Sequence, residues 1–155
     1  MHRFSLSHLA DNVLLRELTA LARQDRATQA ALLAHIAEAD VRRLYAPAAC
    51  PSMFEYCVRE LHMSEDSAYK RITVARVARR FPAILESIAD GRLSLSGVLL
   101  LAPHLTDESD GLADELIAAA AHKTNSAIKL LLAERFPQPD LPTLVQVVAE
   151  SAVCN

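Results

Sequence analysis

Apolar residues recur three and four positions apart along most of this 155-residue chain. That spacing lines one side of an α-helix, whereas one face of a strand needs a period of two. Leu14, Leu18 and Leu21 follow it, with Leu15 and Ala22 alongside, and so do Ala30, Leu33, Ala37, Val41 and Leu44. The residue supply agrees: Ala and Leu account for 51 positions, Gly for three and Trp for none, and aromatics make up 5%. Strong helix formers with few β-branched or aromatic residues exclude a β-sandwich, a Gly-rich nucleotide-binding α/β fold, a disulfide scaffold and a disordered tail. The expectation is an all-α bundle of about seven or eight helices.

Start and stop signals divide the chain. Asp11 or Asn12 is placed to cap a first helix, and the polar patch Arg23-Gln24-Asp25-Arg26 follows. We expect a long antiparallel or kinked helical pair over residues 11–45. Pro47 and Pro51 then break the pattern. Ser52 with Glu55 has the capping-box form, His62-Met63 marks a turn, and Ser64 with Glu65 and Asp66 begins the next helix. Phe81-Pro82 ends it, and a short helix over 83–90 is closed by Gly91. Ser94 or Ser96, Thr106 or Asp107, and Thr124 open further short segments down to residue 135. The organisation expected is one helical domain over 1–140, with a helix-turn-helix-like pair at 52–80, short helices at 83–135 and an apolar tail at 141–155.

Catalytic and metal chemistry find little support. Six histidines are scattered, with no pair at i,i+3 or i,i+4 and no Cys at zinc spacing. His35 and His104 read as surface or satisfied core residues, and Cys57 as a packing residue. Three cysteines without C-x-x-C spacing fit free thiols in a reducing cytoplasm. There is no P-loop, no G-x-S-x-G and no G-x-G-x-x-G. The longest apolar runs are far shorter than the ~20 residues that span a bilayer, and the first residues lack a secretory apolar core. No catalytic residue, metal or cofactor is therefore expected, no membrane contact, and a cytoplasmic location.

Charge is the feature that points to a partner. The chain carries a net −3. Yet residues 67–85 hold Lys70, Arg71, Arg76, Arg79 and Arg80 and no acid. On a helix over 64–80, Ala68, Ile72 and Ala75 fall together on a core side. Tyr69, Thr73, Arg76 and Arg80 form one polar stripe, flanked by Lys70 and Arg79. Such a stripe can lie on the phosphate backbone of double-stranded DNA, and an arginine fork can also reach guanine edges. The bland reading is equally physical: cations near a helix C-terminus complement the macrodipole and are solvated.

Several strings carry a resemblance. They are Leu32-Leu33-Ala34-His35-Ile36-Ala37-Glu38-Ala39-Asp40, Ser52-Met53-Phe54-Glu55-Tyr56-Cys57, and the run from Leu61-His62-Met63-Ser64 to Tyr69-Lys70-Arg71-Ile72. Further on come Ala78-Arg79-Arg80-Phe81-Pro82, Leu100-Leu101-Ala102-Pro103-His104 and Leu131-Leu132-Ala133-Glu134-Arg135-Phe136-Pro137. Over about residues 4–140 the chain resembles the amino-terminal helical region of bacterial, myxobacterial-type HNH endonuclease family proteins. The segment from Phe81-Pro82 to Ser94 is also similar, at the level of fold, to the helices after the helix-turn-helix of ParB-type proteins. In the HNH family a separate metal-binding nuclease module follows. Here thirteen residues remain after Pro142, without a His, so none of its catalytic positions carries over. The resemblance implies a non-catalytic helical module for DNA or partner recognition, and the cationic window makes Tyr69, Lys70, Arg71, Thr73, Arg76, Arg79 and Arg80 the expected DNA contacts. The alternative is a helical interaction or oligomerisation module, forming a homodimer or docking a nuclease partner.

Overall fold

A computed structural model describes residues 2–106 and 111–137. Seven α-helices and no strand occur among them: α1 (Asp11–Val41), α2 (Met53–Arg59), α3 (Glu65–Arg80), α4 (Ala83–Ala89), α5 (Leu95–Leu101), α6 (Leu112–Ala119) and α7 (Asn125–Arg135). A 3₁₀ turn, Ala102–His104, extends α5 where Pro103 stops the α-helix. The all-α expectation holds. The expected tail at 141–155 and the residues from 138 to 140 lie outside the described residues, as does Asp107.

Four of the anticipated caps form as hydrogen bonds. Ser52, Ser64, Ser94 and Thr124 accept from the backbone N–H groups of Glu55, Ser67, Gly97 and Ala127. Each satisfies an otherwise orphaned helical donor, worth about 1 kcal/mol. Gly91 ends α4 with φ +80, a conformation that L side chains resist, and its missing Cβ leaves room for Arg26, whose Nε would stand 2.9 Å away.

Three expectations are corrected. Residues 11–45 are not a helical pair; one helix of 31 residues runs unbroken through Arg23-Gln24-Asp25-Arg26 to Val41. That patch contains only residues a helix tolerates, and polarity alone does not end a helix. The chain turns only at Arg43, which adopts φ 54. Nor do Asp11 or Asn12 cap α1: Ala10 occupies the cap position without a side-chain bond, and Asp11 sits in the first turn. Likewise α6 begins after Gly111 with no side-chain cap rather than at Thr106.

Helix α3 is the centre of the bundle, packed by α1, α2, α4 and α5. Ala68, Ile72 and Ala75 are buried as the wheel required, with Val74 and Ala78 beside them. Leu33 and Ile36 of α1 share one buried core with the small residues of α3 and with Ile84, Ile88, Leu101, Leu116 and Ile128, and α1 packs on both α3 and α4. Gly97 is buried in α5, where Ile128 of α7 lies 3.2 Å from the position a Cβ would take.

Candidate interaction surfaces

The cationic stripe is present and, on its outer side, accessible. Tyr69, Arg76 and Arg80 are exposed and Thr73 is half-buried. Every cation of the window nevertheless has a partner within the fold. Arg76 donates from Nε and Nη2 to the two carboxylate oxygens of Asp40 on α1, at 2.9 and 3.2 Å. This fork raises the Arg76 pKa further, through the hydrogen bond to Asp40 first, against the opposing effect of burial, with smaller help from the charges of Asp40 and Tyr45. Arg79 approaches Glu38 at 3.8 Å, and Glu38 also holds Arg42 at 2.7 Å. Lys70 pairs with Asp66 at 2.8 Å, and Arg71 donates to the hydroxyl of Ser67. Arg80 donates to the carbonyl of Thr106 at 3.1 Å, and its guanidinium lies 5.2 Å from the centre of the Phe81 ring. The Thr73 hydroxyl donates to the Tyr69 carbonyl at 2.8 Å. Tyr69, Thr73 and Arg76 meet Phe54 and Ser52 of the preceding segment around a cavity of about 280 Å³.

A second surface, built on the recurring leucines Leu14, Leu18 and Leu21, runs along α1. Every residue from 14 to 25 is exposed, and α1 first packs on the body near Arg26 and Ala30. The free part extends roughly 20 Å at 1.5 Å per residue. It carries Leu14, Leu15, Leu18 and Leu21 at 37, 62, 60 and 62% exposure. Positions 14, 18, 21, 25, 28, 32, 35 and 39 alternate in steps of four and three, the seam of a two-helix contact. Where α1 reaches the body, that seam becomes an apolar groove of about 460 Å³. Thr28, Ala31, Leu32, His35 and Ala39 form one wall, and Met53, Tyr56 and Leu61 the other. His35 closes no metal site: its Nδ1–H donates to the Ala31 carbonyl, 2.6 Å away. Among the described residues no group of His, Cys, Asp or Glu could hold a metal ion. Splitting α1 at its polar patch hid the seam; the four–three alternation across the patch was the signal that could have revealed it.

His104 stacks on Phe136 at 4.5 Å. Cys50 and Cys57 are free and buried, and Cys57's pKa is raised above its ordinary 9.0 by burial and then by Asp40. Among the described residues, no helix is long and apolar enough to cross a membrane. Comparison of the chain with protein-family models, with curated proteins and with solved structures returns no match in any of the three.

Proposed function

We propose that the chain is a non-catalytic helical interaction module that receives the apolar face of an amphipathic partner helix along α1. The observation that carries this reading is the exposed leucine stripe on the free part of α1, which runs straight into an apolar groove. Apolar patches of this kind mark association sites on folded proteins. The exposed fractions of the four leucines add up to a little over two fully exposed side chains. Burying them contributes about 3–6 kcal/mol, and an equal apolar face on the partner as much again. Against the low end of an association cost of about 4–15 kcal/mol the net is at most about 8 kcal/mol, so micromolar strength is the upper limit of what these leucines supply. Resemblance to the region that precedes an HNH nuclease suits such a role beside a nuclease in the cytoplasm.

The test uses a labelled helical peptide about three heptads long, with leucines in four–three alternation and Lys and Glu elsewhere. Its fluorescence anisotropy should rise on titration with the full chain and respond far less to an Ala31→Glu or Leu18→Asp variant. Absence of binding at several hundred micromolar refutes the reading.

A second reading, DNA binding through the α2–α3 pair as a helix-turn-helix, is favoured by one observation. At one end of α1 and α3, Arg42, Arg76 and Arg79 share only Glu38 and Asp40 among the described residues, and exposed Arg43 adds to the excess. The Arg42–Glu38 and Arg79–Glu38 pairs are exposed and worth at most about 1 kcal/mol, so phosphates can displace Glu38 from them. Duplex binding whose affinity falls steeply with salt, and is lost in Arg76→Ala/Arg80→Ala, supports this reading; salt-insensitive or absent binding refutes it.

A further inference from the structure

The stripe and the groove lie on the same helix, and their lengths match. The free leucine-bearing segment spans residues 14–25 and the groove's α1 wall spans residues 28–39, so both are twelve residues long. We infer that the occupant of the groove is the free end of α1 from a second copy of this chain, the two α1 helices packed antiparallel about a two-fold axis between Arg26 and Ala27. This rests on the reading of α1 as a docking surface and names its partner.

A two-fold operator makes an interface self-complementary, so the knobs and the hole must both be present on one protomer. Here they are. The operator seats Leu21 of one copy against Leu32 of the other, Leu18 beside His35 and Leu14 over Ala39. Asp25 meets the Thr28 hydroxyl twice, once on each side of the axis, so the polar residues in the centre of the seam face each other and the leucines face the groove. A parallel pair would do the reverse. It would set Asp25 against Asp25 and His35 against His35, and would leave both grooves without a leucine.

Charge supports the same arrangement. Glu17 flanks the stripe on the side that Glu38 flanks farther along, since the two are three heptads apart. The antiparallel register therefore brings Glu17 to the partner's Arg42–Glu38–Arg79 group, which carries a net positive charge. Extent supports it too. With flanking positions counted, the free segment and the groove engage about 20 residues per copy, the lower end for a specific interface and consistent with a dimer that dissociates on dilution.

The full chain is examined first by sedimentation equilibrium from low to several hundred micromolar. The expected mass rises to about twice 16.9 kDa. Leu18→Asp, at an exposed position, should weaken association by at least ~100-fold, because each of two equivalent sites loses about a factor of ten, with the circular dichroism unchanged. In a Cys154→Ser background, an equimolar mixture of Asp25→Cys and Thr28→Cys chains should form a disulfide-linked dimer under mild oxidation, and neither chain alone should do so. Self-linking by Asp25→Cys would overturn the antiparallel arrangement. A chain that stays monomeric yet binds the striped peptide would overturn the second copy while leaving the docking surface intact. A monomer that binds no peptide overturns both. Dimerisation that appears only when residues 138–155 are removed would assign the groove to the chain's own tail, and overturns the inference as well.

Discussion

Replacing Arg76 by Ala and replacing Asp40 by Ala break the same fork, but the two variants should not cost the same. Arg76 is 62% exposed in its side chain and Asp40 only 16%. With Asp40 removed, the guanidinium turns to water and loses little beyond the pair itself, about 0.5–1 kcal/mol for so exposed a partner. With Arg76 removed, a mostly buried carboxylate loses its only charged partner among the described residues, and an unsatisfied buried acceptor adds about 1–3 kcal/mol. We therefore expect Arg76→Ala to destabilise by about 1.5–3 kcal/mol, Asp40→Ala by clearly less, and the double variant by no more than Arg76→Ala. For a domain of this length each kcal/mol moves the melting temperature by roughly 2–4 °C. Urea unfolding followed by circular dichroism measures all three; urea, unlike guanidinium, leaves the charge interaction unscreened. A Leu18→Asp background held dilute keeps association out of the comparison. Equal costs for the two single variants, or a larger cost for Asp40→Ala, would refute the argument that burial of the carboxylate sets the asymmetry.

Other outcomes follow from the same geometry. Ile84→Ala empties a fully buried site and should cost about 2–5 kcal/mol by urea titration. Gly91→Ala forces a side chain into φ +80 and against Arg26, and should cost about 1–3 kcal/mol, whereas the same change at Gly111, which has a similar φ but nothing within 4 Å, should cost less. Cys57 has its folded-state pKa raised, so its protonated thiol is the favoured form. Its contribution to stability is complete below the ordinary thiol value of 9.0 and is lost as pH rises from there through the higher folded value. Unfolding measured at intervals from neutral to alkaline pH should show that decline, and Asp40→Ala, which removes part of the cause, should flatten it.

Much of the fold could be read from local chemistry. Ser52, Ser64, Ser94 and Thr124 are caps because a side-chain oxygen three residues ahead of a free N–H is a purely local arrangement. The burial of Ala68, Ile72 and Ala75 was equally legible from the helical period. What was hidden is what depends on distant segments. Nothing around Arg76 announces Asp40, thirty-six residues earlier, so an acid-free window in sequence became a set of partnered cations in space. The α1 break was expected because a polar patch looks like a linker, but Arg23-Gln24-Asp25-Arg26 are ordinary helix residues, and only a Gly or Pro would have ended the helix there.

The 31-residue length of α1 also divides it into two regimes of cooperativity. Residues 26–41 are held by the bundle, so their amide protons should exchange only when the domain opens as a whole. The preceding segment, residues 11–25, has only its own hydrogen bonds, and fifteen residues are at the margin of what stands as a helix in water. Its turns should fray from Asp11 inward on a timescale far shorter than global unfolding. Covering the leucines would stop that fraying, so the ordering of one end of α1 becomes part of the free energy of association, and amide exchange there reports occupancy without any label at the surface.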